Sequence, residues 1–164
     1  MSVSLAYLAQ MTVTETLGNN TDSSAALKRV VTHDLFNTTA TLNGATTPPA
    51  TIVAAWKQLL TAGAATIDLT AMVGTNGATI NGTGLKVQAL KVKALAANAN
   101  AITVATGASN GYGLAGAATS VTLAAGQEFM FYGNELTPDI AAGAKTIDLS
   151  GTGTQGVEII IVCG

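Results

Sequence analysis

The stretch Thr146–Gly164 reads TIDLSGTGTQGVEIIIVCG, and it decides the fold. TIDLS (146–150) and VEIIIV (157–162) are short runs rich in β-branched residues, which suit a pleated surface. The GTGTQG segment between them (151–156) is turn punctuation. VEIIIV carries apolar residues in both phases of a strand, which predicts a central strand covered on both faces. Toward the N-terminus the same grammar recurs in QEFMFY (127–132), SVTLA (120–124), AITVA (101–105), LKVQALKVKA (85–94) and TIDLT (66–70). Gly and Asn clusters at 74–77, 81–84 and 110–113 separate these runs. Further back, KRVVTHDLF (28–36) and TTATL (38–42) are also β-rich, with a turn cluster at 17–24 before them and a proline break at 46–50 after them. No long amphipathic helix interrupts the series, so a parallel βαβ sheet is not expected. The pattern predicts an all-β fold: an antiparallel, jelly-roll-like β-sandwich with an N-terminal arm. Residues 1–25 read as the arm and first strand, and 26–164 as a single sandwich domain.

Three finer features add expectations. In TIVAAWKQLL (51–60), Ile52, Ala55, Trp56 and Leu59 fall at helical spacing, but the window is short and opens on β-branched residues, so a strand is favoured. In LKVQALKVKA, Val87 and Ala89 share one phase while Leu90 and Val92 share the other, which predicts a bulge or a strand that changes sheets. Lys91 and Lys93 then point outward together. Residues 62–70, AGAATIDLT, are echoed by 142–150, AGAKTIDLS. The echo predicts two related halves, such as two similar sheets or two Greek keys.

Composition narrows the function. The 164-residue chain is one domain's length and large enough to hold a core without metal or disulfide. Only 10% of its residues are charged, seven cations against nine anions, where about 25% is usual. The surface is therefore expected to be Thr, Asn, Ser, Gly and Ala. Such a surface loses little on desolvation and suits packing against other subunits. A net charge of −2 with no basic run beyond Lys86, Lys91 and Lys93 argues against nucleic acid as a partner. No apolar run of about 18 residues is present, which argues against a membrane helix. The first cation is Lys28, so a basic secretory leader is missing and synthesis in a cytosol is expected. A single cysteine, Cys163, excludes a disulfide within the chain and reads as a small apolar strand residue.

The chemical inventory is thin. His33 stands beside Asp34, but no nucleophile-elbow pattern accompanies them. One His and one Cys cannot build a zinc site, and the aspartates Asp22, Asp34, Asp68, Asp139 and Asp148 form no calcium loop. Asp68 and Asp148 occupy matching places in the echo. They read either as a paired-carboxylate site or as solvent-facing strand residues, and the second is favoured. The loop GASNGYG (107–113) lacks the Gly-Lys-Ser/Thr of a phosphate loop. It is expected to lie flat against a neighbour with Tyr112 as a contact aromatic. Trp56, Tyr112 and Tyr132 are the aromatics that a sugar site would use. No catalytic, cofactor-binding or metal residue is assigned, and an enzyme is not expected.

The phrases TIDLTAMVGTNGATINGTGLKVQALKVKAL (66–95), ITVATGASNGYGL (102–114), TLAAGQEFMFYG (122–133) and TIDLSGTGTQGVEIIIVCG (146–164) resemble small virion proteins of tailed bacteriophages. The resemblance covers about the last hundred residues and consists of strand-and-turn phrases. It implies a capsid decoration or cement protein that binds the major capsid protein, or another virion protein, by protein–protein contact. It also implies a homo-oligomer, with a trimer among the options, located in the virion after synthesis in the host cytoplasm. The alternatives are a tail or head-fibre component and a carbohydrate-binding β-sandwich.

Overall fold

The computed structural model describes residues 3–17, 29–34, 37–116, 118–133 and 135–164. The turn expected at 17–24 lies outside them apart from Leu17, and so does the division at 25/26. The chain forms two compact units: Leu5–Thr41, and Met1–Ser4 with Leu42–Gly164.

The smaller unit is built from β1 (Ser4–Ala9), β2 (Val13–Leu17), β3 (Arg29–His33) and β4 (Thr38–Asn43). β1 pairs with β4, and β2 pairs antiparallel with β3 from Val13↔His33 to Leu17↔Arg29. Two-stranded ribbons are marginal on their own. Among the described side chains of residues 5–41 none is buried.

The larger unit contains β5 (Ile52–Leu59), β6 (Ala64–Asp68), the two-residue strands β7 (Met72–Val73) and β8 (Thr79–Ile80), β9 (Val87–Ala94), β10 (Ile102–Thr106), β11 (Ser120–Leu123), β12 (Glu128–Tyr132), β13 (Thr146–Ser150) and β14 (Gly156–Cys163). One four-stranded sheet has the order β12-β9-β14-β5 and the other β11-β10-β13-β6, with every pair antiparallel. The fold is an antiparallel β-sandwich, as the strand grammar predicts. Setting aside the β7–β8 hairpin, four of the pairings are nested, and β9–β14 and β10–β13 complete the two sheets. β10 pairs β11, β9 pairs β12, β6 pairs β13 and β5 pairs β14, so the chain doubles back on itself at the β10–β11 hairpin.

Alternation fills the core. Ile67, Ile102, Val104, Ile147 and Leu149 come from one sheet, and Ala54, Leu90, Val92, Val157, Ile159 and Ile161 from the other, all buried in one cluster. Full burial of one such Ile or Leu contributes about 1.5–3 kcal/mol, against about 0–1 kcal/mol for a surface ion pair. Stability therefore resides in this cluster and not in the chain's few charges.

The ambiguous segment 51–60 is strand β5, paired with β14 over eight positions from Leu59↔Gly156 to Ile52↔Cys163. The phase switch in LKVQALKVKA is a bulge. Val162 pairs Ala89 while Cys163 pairs Val87, so Gln88 is the extra residue. After it, Leu90, Val92 and Ala94 face the core, while Lys93 is exposed and Lys91 half-exposed.

Two expectations are corrected. The TIDL echo does not mark two related sheets. Its copies are adjacent strands of one sheet, with Ile67 opposite Ile147, Thr66 opposite Asp148 and Asp68 opposite Thr146. Antiparallel pairing of the same short sequence creates a local twofold that sends both isoleucines into the core. VEIIIV is central in its sheet, between β9 and β5, but is covered on both faces only at Val162. Glu158 is exposed and Ile160 is 46% exposed on the outer face.

Candidate functional site

Among the described residues the chemistry-bearing side chains are dispersed. His33 lies on β3 opposite Val13, and its side chain is outside the described residues. Asp34 is exposed. Among the described residues no group of three or more His, Cys, Asp or Glu side chains is placed to hold a metal ion. No described helix is long and apolar enough to cross a membrane.

Asp68 and Asp148 share the outer face of the β6–β13 pair, each tied to its own surroundings. Asp148 Oδ1 accepts from Thr66 Oγ1 at 2.7 Å and its Oδ2 from the Ala108 N–H at 2.8 Å. Asp68 Oδ1 accepts from Thr70 N–H at 2.8 Å and Thr70 Oγ1 at 2.6 Å, and its Oδ2 meets Lys145 Nζ at 2.6 Å. Partial desolvation pushes the Asp68 carboxyl up. The Lys145 and Thr70 hydrogen bonds and the lysine charge outweigh it and hold the group below its ordinary 3.8. A glycosidase acid needs a raised pKa, so Asp68 does not suit that role.

The shift has a measurable consequence. The carboxylate is favoured in the folded state, so its contribution is fully present above the unfolded value of 3.8 and is lost as pH falls through the lower folded value. Lys145→Met is expected to flatten this acid-side loss, by no more than about 1 kcal/mol for so exposed a pair. Urea midpoints from pH 7 downward check it. An unchanged slope below pH 4 would contradict it.

Cys163 is fully buried at the end of β14, and burial pushes its thiol up to about 12. A thiol so shielded is inert. The native chain is expected to give no reaction with a disulfide reagent at neutral pH, and to release its single equivalent only in denaturant. Rapid titration without denaturant would refute this burial.

Tyr112 is not a contact aromatic. It is fully buried, and its hydroxyl accepts from the Val87 N–H at 3.0 Å and donates to the Pro138 carbonyl at 2.6 Å. The 107–113 loop is folded down onto β13. The Gly107 and Tyr112 N–H groups both donate to the Thr146 carbonyl, and Lys145 and Thr146 N–H donate to the Asn110 carbonyl. A side chain at Gly107 would collide with Thr146, and one at Gly111 with the Gly107 carbonyl. The glycines thus serve close backbone approach, not a flat contact face. Trp56 is half-buried against the core, with Nε1 donating to Gln58 Oε1 at 3.1 Å. Only Tyr132, on the outer face of β12, remains of the three aromatics proposed for sugar contact.

Two open concavities in the larger unit bear on ligand binding. The larger, about 440 Å³, is lined by residues including Lys57, Leu59, Asn98, Asn100 and Thr154, with no aromatic side chain for a sugar ring to stack on. The other, about 330 Å³, is apolar and lined by residues including Leu114, Phe131, Tyr132 and Leu136.

The faces carry more information than the hollows. Besides Asp68 and Asp148, the outer face of the β11-β10-β13-β6 sheet presents small, neutral groups such as Thr66, Thr103, Thr122, Ser120 and Ser150, with Thr103 and Thr122 hydrogen-bonded across the strands at 3.0 Å. The outer face of the other sheet carries Met130 and Ile160, each 46% exposed, beside a run of charges. In the smaller unit Leu8, Met11 and Val13 are 54%, 76% and 46% exposed. Sequence reasoning did not single these residues out, because an alternating pattern does not reveal which face stays open. No protein-family model, no curated protein and no solved structure matches this chain.

Proposed function

We propose that this chain is a structural component of a tailed-bacteriophage virion, a decoration or cement protein that binds the capsid lattice by surface contact and self-associates as it does so. One observation carries the reading. The unit Leu5–Thr41 has no buried side chain among its described residues, and it presents Leu8, Met11 and Val13 to solvent. Segments below about 40 residues rarely hold themselves without a disulfide, a metal or association. This one is well suited to be an arm that completes its core on a neighbouring virion subunit, the major capsid protein first among them. The Thr- and Ser-rich outer face of the β11-β10-β13-β6 sheet, where Asp68 and Asp148 are already held by hydrogen bonds, fits the same role. The nested strand order, read as a jelly roll, belongs to an architecture that recurs in capsid proteins and in lectins.

The arm supplies the test. The triple variant Leu8→Asp, Met11→Asp, Val13→Asp changes exposed positions only, so its urea midpoint should stay within about 0.5 kcal/mol of the parent. Its co-sedimentation with purified capsids lacking this chain should fall at least about tenfold, as loss of apolar anchors does. Capsid binding equal to the parent's would remove the arm from the interface. Binding to a glycan array instead of capsids would favour the carbohydrate module.

A further inference from the structure

The outer face of the β12-β9-β14-β5 sheet holds one row of four charges. Glu128 stands opposite Lys93, Lys93 opposite Glu158, and Glu158 opposite Lys57, one residue from each strand and all exposed. The next row along the strands is Met130, Lys91, Ile160 and Ala55, and the open face ends there, because Ala89 and Val162 in the row beyond are buried. With Lys91, this face holds five of the chain's sixteen Lys, Arg, Asp and Glu residues. Among the described residues its one ion pair is Lys91 Nζ to Glu128 Oε2, 3.0 Å. The signs across the charged row run minus, plus, minus, plus.

Such a row is self-complementary. A twofold axis parallel to the strands reverses it, placing Glu128 over Lys57 and Lys93 over Glu158 of a second copy. Each charge then directly faces one of opposite sign. The same operation keeps the Met130 row together, with Met130 over Ala55 and the aliphatic stem of Lys91 over Ile160. An axis across the strands would instead set charges over Met130 and Ile160. The geometry points to this face as an isologous contact with a second copy of this chain, the two sheets packed face to face within the roughly 30° that sheet twist imposes.

Charge complementarity fixes partner and register here more than it adds affinity. Two rows across four strands cover about 15 Å by 10 Å. That is the small, transient class of interface, with a Kd on the order of micromolar or weaker. Binding side by side on a lattice would raise the effective concentration.

This inference deepens the self-association in the proposed function and rests on it. The test separates the two. Lys57 and Glu128 lie on opposite edge strands, three strand spacings or about 14 Å apart, so within one chain they do not pair. Sedimentation of the full chain up to about 1 mM is expected to show a salt-sensitive monomer–dimer equilibrium. Lys57→Glu and Glu128→Lys should each weaken it at least about tenfold, and the double variant should recover to within about threefold of the parent. As a readout independent of variants, zero-length carbodiimide coupling should yield a Lys57–Glu128 peptide from the dimer. The contact is overturned if the parent stays monomeric, if the double variant is no better than the singles, or if coupling joins only Lys93 or Lys57 to their neighbours within the sheet. A chain that dimerises this way yet is missing from virions would overturn the virion role alone. A virion-bound chain with no charge-swap rescue would overturn this surface alone.

Discussion

Tyr112→Ala is expected to lower unfolding stability by about 3–5 kcal/mol, the range for removing a large buried aromatic. The ring is fully enclosed and packs in the same cluster as both sheets. Its hydroxyl also joins the start of β9 to the Pro138 carbonyl, and the adjacent Thr137 Oγ1 donates to the Val87 carbonyl at 2.9 Å. The Gln88 bulge follows at once, so the Val87 N–H depends on Tyr112 where the ladder is interrupted. Tyr112→Phe separates the two contributions. It keeps the ring and leaves the Val87 N–H and the Pro138 carbonyl without this partner, which costs about 1–3 kcal/mol in all. Urea midpoints should fall in the order parent, Phe, Ala, with an unchanged denaturant slope. A Phe variant as stable as the parent would show that the hydroxyl bridge contributes nothing net.

Gly111→Ala should cost at least about 2 kcal/mol, because the new methyl meets backbone that cannot step aside. Its nearest neighbours would be the Gly107 carbonyl and the Thr106 methyl. Moving either disturbs the loop that closes on the Thr146 carbonyl. Gly143→Ala is the control. Nothing lies within 4 Å of a Cβ there and the backbone is not left-handed, so the change should stay within about 0.5 kcal/mol. Equal effects at the two sites would mean that the 107–113 loop does not pack as described.

Local pattern carried much of the fold. Strand positions from residue 66 onward follow from β-branched runs and Gly or Asn punctuation, and the bulge at Gln88 follows from a change of phase within ten residues. Pairing partners did not follow, because they depend on contacts between distant segments. The TIDL echo was visible as repetition, yet only the register shows that Ile67 faces Ile147 within one sheet. Tyr112 misled for a related reason. A tyrosine between glycines resembles a surface loop, whereas the same glycines allow the backbone to approach closely enough to bury the ring. VEIIIV misled because apolar residues in both phases suit an exposed contact face as well as a covered strand. The candidate surface was the least legible feature. Its charges come from β5, β9, β12 and β14, and they form an alternating row only when the four registers are aligned.

The proposed role is tested most directly by the protein content of virions purified from the organism that encodes this chain, measured by quantitative mass spectrometry. A decoration or cement protein should be present in a fixed ratio to the major capsid protein, and should be shed in one step as mild denaturant strips the outer surface. Virions that are intact and infectious with this chain undetectable would contradict the role.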